Sequence, residues 1–316
     1  MLLLSFIIFN IILVFFIFLY NKLTLGICKC SRHLVGKVVI VTGGNTGVGY
    51  ETAKNLAERG ARVIIACRND QRGNTAREKI ISETGNQDVH YQKLDLASLK
   101  SVRVFAENIL KTEKRLDILI NNAGIYGSEN VKTEDGLNLG MQVNHFGHFL
   151  LTCLLLPLIK TSAPSRIINV SSLSHTRVTL DLNNLNFENE TKETYDVNKV
   201  YGTSKLCNIL MTIELARQLK GTRVTANALN PGLVDTNIIS DVPLLNRIRP
   251  LIKPFMFKTT WEGAQTSIYL AVSPEVENVS GYYYSDCRQK STSAQAQDTR
   301  LANELWKISE KLVKLE

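Results

Sequence analysis

From residue 36 onward, short β-rich apolar runs alternate with segments whose apolar residues recur every three or four positions, and this alternation leaves few folds open. The strand candidates are residues 37–42 (KVVIVT), 62–67 (RVIIAC), 89–96 (VHYQKLDL), 117–124 (DILINNAG), 166–172 (RIINVSS), 223–232 (RVTANALNPG) and 281–286 (GYYYSD). Several are continuously apolar, as strands covered on both faces of a parallel sheet must be. The intervening segments 51–59, 98–114, 141–158 and 205–220 have the period and length of crossover helices. The expected architecture is one α/β domain over residues 36–316, a doubly wound parallel sheet with helices on both faces. No internal repeat or low-complexity tract divides it.

Residues 1–20, MLLLSFIIFNIILVFFIFLY, are an apolar run broken only by Ser5 and Asn10, and about 20 helical residues cross the ~30 Å hydrocarbon layer. A cleavable signal peptide is the rival, but a basic leading segment and a small-residue cleavage site are missing. Residues 1–21 therefore read as a single-pass membrane anchor, followed by a basic juxtamembrane segment, 22–35. Lys22, Lys29, Arg32 and Lys37 precede the first acid, Glu51, which puts the domain on the cytosolic face. The six cysteines contain no C-x-x-C pair and read as reduced thiols. Cys28 and Cys30 could instead carry a lipid. On the cytosolic side the sequons at Asn189 and Asn278 go unused, and Asn169 sits in a core strand. The net charge of +8 is dispersed, which fits attraction to anionic lipid and excludes a nucleic-acid surface.

The stretch VTGGNTGVGY (41–50) follows the first strand candidate and opens a helix. Glycine there admits a pyrophosphate to the backbone, and the helix start offers free N–H groups. Gly43, Asn45, Thr46, Gly47, Val48 and Gly49 are thus candidate dinucleotide contacts. At the end of the second strand, where NAD binding uses an acid toward the ribose 2′-OH, the chain has Arg68, so NADP is expected over NAD. Asp70, two residues on, is the competing signal. Two long irregular regions, 173–198 and 236–260, follow strand ends and border the crevice as candidate substrate loops.

The spacing T-G-x-x-x-G-x-G at Thr42–Gly49 resembles that of the short-chain dehydrogenase/reductase family. Asp95, Asn121-Asn122-Ala123-Gly124, Asn144, Ser171-Ser172, Tyr201-Gly202-Thr203-Ser204-Lys205 and Pro231-Gly232 extend the resemblance in order across roughly 36–315. Within the family, ACR, VNHFGHFLLTCLLLPLIK and SAPSRIINVSS are most similar to membrane-bound retinol dehydrogenases of the 11/12/13/14 type. The resemblance implies a Rossmann-type fold, a catalytic set of Ser172, Tyr201, Lys205 and Asn144, and a water held by Asn144. It also implies adenine contact by Asp95, ribose contact by Asn122, nicotinamide-ribose contact by Tyr201 and Lys205, and Pro231, Gly232 and Thr236 beside the carboxamide. The endoplasmic reticulum is the expected membrane. The separation of Ser172 and Tyr201 is wider than in many members.

The chemistry agrees. Reducing a carbonyl needs a proton donor, and tyrosine's reference pKa near 10 is too high unless a cation favours the phenolate. A lysine at i+4 lies on the same helical face. Tyr50/Lys54 and Tyr195/Lys199 share that spacing, but only Tyr201/Lys205 opens a helix beside the fifth strand. Ser171 is the alternative to Ser172. His145 and His148 lack a third ligand for a metal, His175 is placed at the substrate mouth, and no G-x-S-x-G hydrolase elbow occurs. The expected activity is NADP-dependent interconversion of a hydrophobic alcohol and its aldehyde, with retinol/retinal in view. Steroid, fatty-alcohol or lipid-aldehyde reduction is the alternative, and a non-catalytic cofactor-binding membrane scaffold the rival from another class. Membrane lipid is the expected partner, and a homodimer stays open.

Overall fold

The computed structural model describes residues 2–234 and 257–315. Among them the strands are β1 (Val38–Thr42), β2 (Arg62–Cys67), β3 (Val89–Lys93), β4 (Ile118–Asn121), β5 (Ser165–Val170), β6 (Val224–Asn230), β7 (Tyr283–Ser285) and β8 (Arg288–Lys290). They form one sheet in the order β3-β2-β1-β4-β5-β6-β7-β8. Every neighbouring pair is parallel except β7 and β8. The chain winds outward from β1 to β3 on one side and from β4 to β7 on the other. A crevice therefore opens beyond the carboxyl ends of β1 and β4, where the winding reverses.

The helices are α1 (Leu2–Thr24), α2 (Gly47–Glu58), α3 (Asp70–Thr84), α4 (Leu99–Thr112), α5 (Leu139–Met141), α6 (Gly147–Thr161), α7 (Val197–Gln218), α8 (Thr260–Val272) and α9 (Thr299–Leu312). Alternate residues of the apolar strands serve opposite layers. Val39, Val41, Val63 and Ile65 pack under α2, α3 and α8, while Ile40, Ile64, Leu119 and Ile167 pack under α4, α6, α7 and α9. The continuous apolar runs follow from this, since both faces are covered.

Two apolar helices have opposite fates. The run Leu139–Thr161, α5 and α6 joined by a π-turn at Gln142–Phe146, is long and apolar enough to span a membrane, yet it is mostly buried in the fold. In α1, by contrast, Phe9, Ile12, Phe15 and Phe16 are exposed.

Some expected boundaries shift. The third strand ends at Lys93 instead of residue 96, because Asp95 turns the chain by accepting from Ala97 N at 2.9 Å. The last expected strand shortens to β7, and Asp286 and Cys287, both with positive φ, turn it into β8. That two-residue hairpin lacks the Asn-Gly or Gly-Gly signal that announces such turns. Asn169 is buried and bonded to Asn121 and Thr212, as a core-strand position.

The docking of α9 rests on Phe149, which is fully buried and meets Trp306 edge-on at 4.7 Å. Phe149→Ala should lower stability by about 3–5 kcal/mol, read from urea unfolding; a loss under about 1 kcal/mol would mean that this contact does not hold α9.

Candidate active site

β1 ends at Thr42, and the chain turns through Gly43 and Gly47, both left-handed with φ of +64° and +60°. A Cβ at Gly49 would stand 2.3 Å from the Gly43 carbonyl oxygen and 2.4 Å from Asn122 Nδ2, so α2 starts as close to the strand ends as only glycine permits. Thr46 is the extended N-cap of α2 and makes no side-chain cap, which leaves the first N–H groups of the helix for an anion. Thr46 is exposed, Asn45 half-buried, and Val48 packs into the layer below. The cradle that a pyrophosphate requires is present.

Around it, Arg68 is exposed at the end of β2. Asp70 accepts from the Tyr91 hydroxyl at 2.9 Å and from Lys93 at 3.0 Å, and Lys93, then Tyr91, hold its carboxyl below the usual range. Asp95 is half-buried in its turn. Asn122 donates through Nδ2 to the Thr42 carbonyl at 2.8 Å. Pro231 and Gly232 follow β6, and Gly232 has a φ of +89°. Thr236 and most of the 236–260 loop lie outside the described residues.

The two serines separate cleanly. Ser171 is buried and donates to the Lys205 carbonyl at 2.7 Å, whereas Ser172 stands close enough to the Tyr201 phenol to act on its acidity and accepts from Ser174 N at 3.2 Å. Tyr201, on the first turn of α7, meets Tyr126 edge-on at 5.3 Å. Burial pushes its hydroxyl above the usual range, with Ser172 opposing and Tyr126 adding to the rise. The net direction is thus opposite to the lowering expected from Lys205. Lys205 is itself buried, with Nζ 5.5 Å from the Tyr201 ring centroid, and burial pushes it down to about 8. Its ammonium donates to the Val170 carbonyl at 3.1 Å.

Asn144 sits in the π-turn, fully buried. Its side chain grips Ile125 at both ends, accepting from N at 2.8 Å and donating to O at 2.9 Å, and it also donates to Ser204 Oγ. Gly124 lies between: a Cβ there would be 3.3 Å from Lys205 Nζ and 3.4 Å from Asn144 Oδ1. A cavity of about 490 Å³ opens beside Tyr201, lined by Ser174, Arg177, Val178, Asp181, Asp196 and Asn198 among others. The 173–198 region thus borders the site.

The other two tyrosine–lysine pairs are spent elsewhere. Tyr50 and Lys54 both bind Glu83, while Tyr195 packs on Phe187 and Lys199 pairs with Glu190. Burial pushes His145 down to about 4 and His148 to about 3; His145 lies between Asn208 and Ser309, and His148 between Thr42 and Asn144. Sequence reasoning overlooked Tyr126 and Asn208, which donates to the Asn144 carbonyl at 3.0 Å, while Lys258, within the 236–260 candidate loop, pairs with Asp286 at 2.6 Å over Pro231 and Gly232. No local pattern marks the first two, because each is brought in by tertiary packing.

A doubly wound sheet with a glycine cradle and a serine–tyrosine–lysine cluster at its crevice defines a dinucleotide-dependent oxidoreductase. The chain belongs to the short-chain dehydrogenase/reductase family, of oxidoreductases acting on CH–OH groups. The family model for short chain dehydrogenase matches residues 37–180. Retinol dehydrogenase 12 of Bos taurus is 46% identical over 285 residues, 90% of this chain and 88% of the relative. An uncharacterised Mycobacterium paratuberculosis protein superposes with a TM-score of 0.73 at 32% identity, covering 90% of this chain and 95% of that one. The NADP complex of Pseudomonas aeruginosa RhlG does so with a TM-score of 0.63 at 26% identity, covering 79% and 94%.

The depressed lysine sets a pH dependence. Its folded value of about 8 lies below the ordinary 10.5, so the unfolded chain binds more protons between those values and stability rises with pH there. Lys205→Met should therefore stabilise the cofactor-free protein below pH 8, with the gain shrinking to nothing above about 10.5. Thermal unfolding across that range checks it; a gain independent of pH would refute the charge origin.

Proposed function

We propose that this enzyme interconverts a hydrophobic alcohol and its aldehyde, retinol and retinal foremost, using NADP(H). The observation that carries the reading is Tyr201 lining a cavity, with Ser172 near its phenol and Lys205 Nζ 5.5 Å from its ring, in a chain 46% identical to a retinol dehydrogenase. The bound nicotinamide supplies or accepts the hydride. The chain's residues do the rest: Ser172 holds the substrate oxygen, Tyr201 gives or takes its proton, and Lys205 favours the phenolate. Burial keeps the Tyr201 phenol protonated but makes it a weaker acid, so the nearby Lys205 cation is what eases the proton's departure when an aldehyde is reduced. We assign to Asn144 the closing of a proton path behind Lys205, through a water between them.

NADP over NAD is supported by the division of labour at the end of β2. Asp70, the acid that could serve a ribose hydroxyl, is bound by Tyr91 and Lys93. Arg68 has no side-chain partner among the described residues and is available to a 2′-phosphate.

We assign α1 to the membrane as a single-pass anchor with the domain in the cytosol. Its 23 residues make about 34 Å of helix. The end of α1 and the residues after it run along α8: Lys22, in the last turn of α1, pairs with Glu262, Gly26 N donates to Asp286, and Cys28 N donates to Gln265. That path brings the anchor beside Lys258 and the Pro231–Gly232 turn, so the crevice would take its substrate from the lipid.

Membrane fractions assayed with retinoids and aliphatic aldehydes should show NADPH-dependent reduction. Tyr201→Phe should lower kcat by about 10²-fold or more with dinucleotide binding kept, and Arg68→Glu should erase the preference for NADPH over NADH. Inactivity on every aldehyde with both cofactors, or full activity of Tyr201→Phe, would overturn the assignment.

A further inference from the structure

At the opposite end of the sheet from the crevice, the amino ends of β1, β4 and β5 surround a second cavity of about 100 Å³, lined in part by Arg32, His33, Lys37, Asp117, Arg166 and Glu277. Arg166, the second residue of β5, is only 8% exposed. One terminal nitrogen, Nη1, donates to the Leu270 carbonyl at 2.8 Å. The other, Nη2, is buried and has no hydrogen-bond partner among the described residues.

The carboxylates nearby are already committed. Asp117 is held by Lys37 at 2.9 Å, by Arg115 at 2.6 Å and by Val38 N, and Glu277 accepts from Arg32 through both oxygens at 3.2 Å. Arg166 is therefore the cation left without a counter-charge, and its burial, followed by the nearby Arg32, pushes it down to about 10. A buried guanidinium with an idle donor is destabilising unless an acceptor reaches it.

We propose that this cavity is a binding site for a small phosphate-class anion, gripped by Arg166 from β5, by Arg32 from the segment after α1 and by Lys37 just before β1. A phosphoryl group suits the volume and would bridge the strand to that segment with charge-assisted hydrogen bonds. Two sources share this chemistry, a lipid headgroup and a soluble phosphate. The route of the segment favours the soluble one: it meets α8 at Glu262 near the anchor and reaches Val272 and Glu277 at the far end. Thirteen helical residues put the cavity about 20 Å from the anchor's end of α8.

The test is inorganic phosphate binding to the full-length protein in neutral detergent, by phosphorus NMR and thermal shift at constant ionic strength. An Arg68→Gln background silences the other arginine placed for a phosphate. One saturable equivalent is expected, weakened at least about tenfold by Arg166→Gln. Should that variant not fold, Arg32→Gln, which frees Glu277 to compete for Arg166, and Lys37→Gln should each weaken binding several-fold. A parallel arm uses phosphatidylcholine nanodiscs with and without phosphatidic acid; a response to all three substitutions there alone would name lipid as the source. A response in neither arm, or one indifferent to Arg166, would overturn the site.

Discussion

The hydroxyl of Thr42 is the point at which the strand, the glycine cradle and the catalytic helices are joined. It accepts from the backbone N–H groups of Asn122 and Ala123 at 2.9 and 3.0 Å, and it lies 2.8 Å from His148 Nε2. His148 is neutral because burial suppresses its cation, and its Nδ1 faces the Asn144 carbonyl at 3.2 Å. A carbonyl can only accept, so Nδ1 carries the proton and Nε2 accepts from Thr42. One directed chain of hydrogen bonds thus runs from the end of β1 to the π-turn. The Asn144 side chain continues it by gripping Ile125 on both sides. The glycine cradle and the π-turn are therefore joined by buried hydrogen bonds, which a low-dielectric interior strengthens.

Burial also sets the electrostatics of the cleft. Removing Tyr201 and Lys205 from water favours the neutral form of each, so the pair is poised rather than simply ionised. The lysine's cation acts across 5.5 Å on the ring without a direct bond to the phenol. Its ammonium is fixed instead by Val170, whose carbonyl also receives Asn208 at 3.3 Å. Tyr126 closes the phenol's exposed flank, and its own hydroxyl is tied to Asn198 at 2.6 Å. The loop after β4 and α7 are thereby linked at the residue where proton transfer is assigned.

What the sequence disclosed follows from which constraints are local. Apolar runs buried on two faces, and glycines forced by a Gly49 Cβ that would meet the Gly43 carbonyl, leave their mark on neighbouring residues, so the sheet and the cradle were legible. Alternation along a strand end could not separate Ser172 from Ser171 without the family resemblance, and the packed structure adds that Ser171 is spent on the Lys205 carbonyl. The hairpin at Asp286 and Cys287 escaped because residues other than glycine hold its positive φ values. Asn208 escaped because a polar residue mid-helix looks like surface until the π-turn carbonyl is found opposite it. The sign of the Tyr201 shift escaped for a related reason: charge is visible in a sequence, whereas desolvation is a property of the packed cleft.

The segment between α1 and β1 shows how a stretch with so little regular structure still has a defined course. Residues 22–37 contain no strand partner, yet they are held at Glu262, Asp286, Gln265, Val272, Arg59 and Asp117. Gly26 is required there, since a Cβ would stand 1.9 Å from the Asp286 carbonyl oxygen. Asp286 in turn pairs with Lys258 over the Pro231–Gly232 turn. The segment therefore touches the crevice at one end of α8 and the Arg166 cavity at the other. A segment free to swing would leave α1 undetermined relative to the cleft, whereas one clamped along α8 fixes the end of α1 beside the turn that borders it.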